Sequence, residues 1–220
     1  MTDKTMHRDR AVKLALIAVM AATIEVGKLA LAFIPNVEIV TLLCATFGFA
    51  FGWSGLVATY IFVLLECFVW GFNTWVLTYV IYWPLVTFAF MLLGRHNFNN
   101  RFVATLIAVT LTAFFGVLSS LVDTGLLSGF WDRFWYRFSI IYVRGLSFYL
   151  TQIICNLLLF ILVFKPLTDY IDKVCPARFR SLRSRKKGKD AMPCDGIGTL
   201  TKSDVTQQKQ SSDDDAGESK

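Results

Sequence analysis

Between Lys28 and Arg95 the chain carries only two charged residues, Glu38 and Glu66. Further on, Phe102 to Val122 carries none, and Ile140 to Phe164 carries Arg144 alone. About 20 apolar residues in helical form cross the hydrocarbon of a bilayer. Backbone polar groups in lipid must be satisfied within the segment, so such runs are helices. The pattern predicts an all-α integral membrane protein. Its first helix runs from about Lys13 to Phe33, where Pro35-Asn36 follows. The run Ile39 to Phe72 is too long for one crossing, and Gly52-Trp-Ser-Gly55 offers a break. That divides it into helices near Glu38–Phe51 and Leu56–Trp70. Three more are expected at Trp75–Leu93, Phe102–Leu121 and Ile140–Phe164, giving six transmembrane helices.

The distribution of positive charge agrees with an even count. Lys4, Arg8, Arg10 and Lys13 precede the first helix, Arg95, His96 and Arg101 lie between the fourth and fifth, and a basic cluster follows the sixth. Cytoplasmic loops collect Lys and Arg, so six spans place all three groups, and both termini, on the cytoplasmic side. The expected organisation is a cytoplasmic segment over 1–12, a membrane domain over 13–164, and a tail over 165–220. The tail begins basic (Arg178 to Lys187), which suits anionic lipid rather than nucleic acid. It ends in a polar stretch holding Asp213, Asp214 and Asp215, a composition that predicts disorder. Net charge is +6 and 55% of residues are hydrophobic, consistent with a multi-pass protein of the plasma membrane. Ala30-Leu-Ala32 resembles a signal-peptidase site, but Glu25 and Lys28 interrupt the apolar stretch before it and argue against cleavage.

Enzymatic signatures are missing. There is no phosphate-binding G-x-x-x-x-G-K-[ST] loop, no H-E-x-x-H and no G-x-S-x-G. Two histidines, His7 and His96, and five cysteines without C-x-x-C spacing offer no common metal site. The expectation is a non-enzyme with no catalytic residues, metal or cofactor. Any uphill transport would draw energy from a partner or an ion gradient.

What remains polar in the spans carries the candidate chemistry. Ala11, Ala15, Ala18 and Ala22 form one narrow stripe on the first helix, suited either to packing inside the bundle or to docking of a second membrane subunit. Glu25, Lys28, Asn36, Glu38, Glu66, Asp123 and Arg144 gather toward the predicted outer side. Intramembrane charge is costly and usually faces a cavity or a partner. Local pairing of Glu25 with Lys28, and of Asp123 with Arg144, competes with ligand roles for Glu66 and Arg144. Ser147 and Thr151 share the Arg144 face, with Gln152 and Asn156 on its flank. Aromatic residues cluster at Trp70, Trp75, Tyr79, Tyr82 and Trp83, and again from Phe130 to Phe138. Such belts commonly mark the membrane surface. Asn73 between two tryptophans also suits a flat heterocycle, and the Asp132, Arg133, Arg137 segment could act as a lid.

These features together resemble the substrate-specific S component of energy-coupling factor (ECF) transporters. The residues that carry the resemblance are the alanine face of the first helix, the loop Pro35-Asn-Val-Glu-Ile-Val-Thr-Leu-Leu43, the glycines of Phe47-Gly48 and Phe51-Gly52-Trp-Ser-Gly55, and Trp83-Pro84. It extends over roughly Ala11 to Phe164 and leaves out the tail. It implies a vitamin or related micronutrient bound near the outer surface, and partnership with a transmembrane coupling subunit and two ATPase subunits. The alanines Ala11, Ala15, Ala18 and Ala22 become docking candidates. Ligand-binding candidates are Asn36, Glu38, Glu66, Trp70, Asn73, Trp75, Tyr79, Arg144, Thr151 and Gln152. No side-chain set points to one vitamin. A cell-envelope scaffold without a solute, and a stand-alone secondary carrier, are the competing readings.

Overall fold

The computed structural model describes residues 3–34, 37–96, 100–127 and 133–175, with side chains from His7 onward. Asn36, Phe130, Trp131, Asp132 and the tail beyond residue 175 lie outside the described residues. Among those described, all regular structure is helical and no strand forms. The helices are α1 (Asp3–Leu31), α2 (Val40–Phe51), α3 (Trp53–Trp70), α4 (Thr74–Arg95), α5 (Arg101–Leu127), α6 (Phe134–Leu159) and α7 (Lys165–Val174). A π-helical turn, Phe160–Phe164, joins α6 to α7 without a break. Five helical segments are long and apolar enough to cross a membrane: His7–Leu31, Trp53–Trp70, Thr74–Arg95, Arg101–Leu126 and Phe134–Val174. The chain is therefore built as a multi-pass membrane protein. α2 is apolar but has 12 residues, a rise of about 18 Å.

α2 is the centre of the bundle, since every residue from Val40 to Phe51 is buried. It packs most extensively on α4. The backbones meet at Gly48, where a Cβ would overlap the carbonyl oxygen of Thr87. Without a hydrophobic drive between helices in lipid, this closeness is what lets dispersion and polar contacts hold them together. At Gly52 the chain takes φ 59°, a left-handed conformation that glycine adopts without steric penalty. Eight residues of continuous helix would separate Phe47 from Gly55 by about 12 Å. Instead a Cβ on Gly55 would overlap the Phe47 carbonyl, and the Thr59 hydroxyl lies 3.9 Å from Cys44 Sγ. So α2 and α3 fold back as a hairpin, hinged where the glycine cluster predicts.

The far end of the core is aromatic. The π-helical turn brings Phe160 and Phe164 inward together, stacked at 5.4 Å, against Phe90 and Phe49. The continuous helix from Phe134 to Val174 has 41 residues, a rise of about 60 Å and roughly twice the hydrocarbon thickness. Helical structure thus passes the expected boundary at Phe164 and takes in Lys165–Val174, where Lys165 pairs with Asp169 at 3.2 Å.

Candidate functional site

Polar side chains from α1, α3, α6 and the α1–α2 loop meet the aromatic face of α4 at one end of the bundle. The inward stripe of α1 is Ile17, Met20, Ala21 and Ile24. At 100° per residue, Lys28 falls within about 20° of Ile17, so it extends that stripe. Its ammonium is taken by Glu66 of α3, which is fully buried. The same ammonium stands 5.0 Å from the ring centroids of both Trp75 and Tyr79. Each such cation–π contact in a desolvated site contributes up to about 2 kcal/mol. Glu25, about 80° round α1 from Ile17, is close enough to interact with both Lys28 and Glu66.

The rotation of α1 turns Lys28 inward to a cross-helix ion pair with Glu66, while Glu25, at the edge, still interacts with it. Among the described residues no ion pair joins Asp123 to Arg144. Arg144 is exposed, and so are Ser147 and Thr151, whose hydroxyl donates to the Ser147 carbonyl at 2.9 Å. Residues 144 and 151 lie about 110° round α6 from the side that the bundle buries. That side presents Gln152 and Asn156.

Gln152 Nε2 donates to Glu38 Oε2 at 3.1 Å, tying α6 to the residue ahead of α2. Burial pushes the Glu38 carboxyl above the ordinary glutamate range; Lys28 and the Gln152 amide pull it down, and Glu66 adds to the rise. Deeper in, Asn156 Nδ2 donates to Thr112 Oγ1 at 2.9 Å and to Thr41 Oγ1 at 3.4 Å. On the other side of α2, the Thr59 and Thr87 hydroxyls meet at 2.8 Å.

The aromatic wall follows from spacing. Trp75, Tyr79 and Trp83 recur every four residues, which stacks them along one face of α4. Their centroids are 5.3 Å apart at each step, and Trp70 adds a fourth ring 6.0 Å from Trp75. Phe115 of α5 closes on Tyr82 at 4.7 Å and on Trp83 at 6.4 Å. Trp83 is buried and its indole Nε1 has no hydrogen-bond partner. Asn73, read as a heterocycle partner, donates its amide to the Trp70 carbonyl at 2.8 Å and closes the α3–α4 turn.

Of the residues singled out in the sequence, Glu38, Glu66, Trp70, Trp75, Tyr79 and Gln152 come together. Arg144 and Thr151 stand apart, and Asn36 is outside the described residues. Lys28, Trp83, Phe115 and Asn156 belong to the same assembly. Trp83 and Lys28 stand out in the sequence without a ligand role; the Trp75-x3-Tyr79-x3-Trp83 period and the Ile17–Ile24 stripe are the signals that place them in the site. Among the described residues no group of His, Cys, Asp and Glu forms a metal cage.

Ala11, Ala15, Ala18 and Ala22 are all exposed. They lie on the side of α1 away from its buried stripe, so they do not pack within this bundle. Ala22 borders an apolar groove of about 450 Å³ that also involves Val19, Val26, Gly27, Ile39 and Leu43. No family model matches the chain, and no curated protein or solved structure matches it either.

Proposed function

We propose that this chain is the substrate-binding membrane subunit of an ECF-type importer for a vitamin or related micronutrient. In this reading α1 to α6 make six crossings, both termini face the cytoplasm, and the protein resides in the plasma membrane. The α2–α3 hairpin supports the even count, since it returns the chain to the side from which α2 started. Solute enters from outside at the Lys28–Glu66 cluster and rests against the Trp70, Trp75 and Tyr79 rings. The observation that carries the proposal is this buried, charged and aromatic assembly at one end of an otherwise apolar bundle. Intramembrane ionisable groups are costly and are kept where they bind or move something.

The exposed alanine stripe supports the second half of the proposal. Small residues on a lipid-facing surface allow another helix to approach closely. A transmembrane coupling subunit docks there, and two ATPase subunits supply the energy that this chain has no nucleotide loop to provide. The test is purification of the tagged full-length chain from its native membranes. The expected result is recovery with a polytopic subunit and an ATPase pair. Recovery with cell-envelope proteins and no ATPase would favour a scaffold.

A further inference from the structure

The charges around Lys28 do not balance. Glu25, Glu38 and Glu66 all interact with it, and among the described residues it is the cation that reaches them. Glu66 gives one carboxylate oxygen to Lys28, while its other oxygen, Oε1, is buried with no hydrogen-bond partner. Oε2 of the neighbouring Glu25 is likewise buried and without a donor. The two carboxyls face each other closely enough to hydrogen-bond through one shared proton, and a second positive charge at this point would take that proton's place. The neighbouring surface already accepts a cation, since Lys28 stands over both Trp75 and Tyr79.

We infer that the ligand of this site is positively charged, a protonated amine or a cationic nitrogen heterocycle. It is held by the spare oxygen of Glu66 and by the Trp75 and Tyr79 rings. The inference rests on the transport reading above and names the chemical class of its substrate. Lys28 acts as a tethered stand-in: it occupies part of the cation-binding surface and shares Glu66 with the ligand. A neutral ring would gain the stacking but leave the carboxylates uncompensated. An anion would meet the Glu25, Glu38 and Glu66 carboxyls and an ammonium already neutralised by Glu66, so the site disfavours it.

The test uses three probes that share one ring and differ in charge: 1-methyl-3-carbamoylpyridinium, neutral nicotinamide, and nicotinate. They are titrated into the purified full chain, with tryptophan quenching and melting temperature as readouts. The expected result for the wild type is saturable binding of the pyridinium, about tenfold tighter than nicotinamide, and no binding of nicotinate. Glu66→Gln should abolish that charge preference. Lys28→Met should keep it, and the pyridinium should restore part of the melting temperature lost in that variant. If Lys28→Met does not fold, the wild-type order and Glu66→Gln decide alone. Equal or better binding of nicotinate, no saturable response to the pyridinium, or a charge preference that survives in Glu66→Gln would each overturn the inference. Failure here is distinguishable from failure of the transport reading. A chain that copurifies with an ATPase pair while releasing a neutral or anionic solute would refute only the charge assignment.

Discussion

Removing Lys28 alone should cost more than removing Lys28 and Glu66 together. Glu66 is fully buried, whereas the Lys28 side chain retains 18% exposure. Lys28→Met leaves an uncompensated carboxylate, and breaking a buried pair in this way costs about 3–5 kcal/mol. Glu66→Gln is milder, about 1–3 kcal/mol, because Lys28 keeps Glu25, the two rings and some access to solvent. The double variant leaves no charge stranded at position 66 and loses chiefly the cation–π contacts, about 1–2 kcal/mol. A double-mutant cycle should thus show coupling of at least about 2 kcal/mol, with the double variant more stable than Lys28→Met alone. Denaturant titration in mixed micelles, followed by tryptophan fluorescence, measures all four corners. Additive costs within about 0.5 kcal/mol would refute the reasoning and mean that α1 is not held to α3 by this pair.

Gly48→Val should destabilise by about 1–3 kcal/mol or prevent folding, because its Cβ would meet the Thr87 carbonyl; thermal aggregation of the purified variant reports it. Ala22→Leu, at the exposed groove beside α1, should abolish recovery of the coupling subunit while leaving ligand affinity unchanged, and equal recovery would remove the alanine stripe from the interface. Burial raises the Glu38 carboxyl, so folding favours its protonated form. Its stabilising contribution is fully present below the ordinary glutamate range and fades as pH rises through the raised value. Melting curves across acidic to neutral pH should show that decline flattened in Glu38→Gln.

Much of the fold can be read from the distribution of charge, because lipid penalises each exposed polar group and fixes helix positions to within a few residues. Gly52 could be identified as the hinge since only a chain reversal reconciles the length of the Ile39–Phe72 run with a bilayer. The isolated polar residues Glu38, Glu66 and Gln152 stood out for the same reason, and the bundle collects them at one site. The rotation of each helix about its axis was harder to read. Glu25 and Lys28 are three residues apart and suggest a local pair, yet Lys28 continues the Ile17–Ile24 stripe and reaches across to Glu66. Arg144 suggested a ligand contact by its charge alone, whereas α6 turns Gln152 and Asn156 inward about 100° away. In a helix apolar on every side, periodicity gives little indication of which face meets the core. The continuation of α6 into Lys165–Val174 was also not apparent, because the apolar run ends at Phe164 while its helix does not.

The most direct measurement is mass spectrometry of small molecules released from the purified, full-length protein, set beside Trp75→Ala. The account predicts one organic solute at near-stoichiometric occupancy in the wild type and its loss in the folded variant. Wild-type protein that releases no solute, or a solute retained undiminished by folded Trp75→Ala, would contradict it.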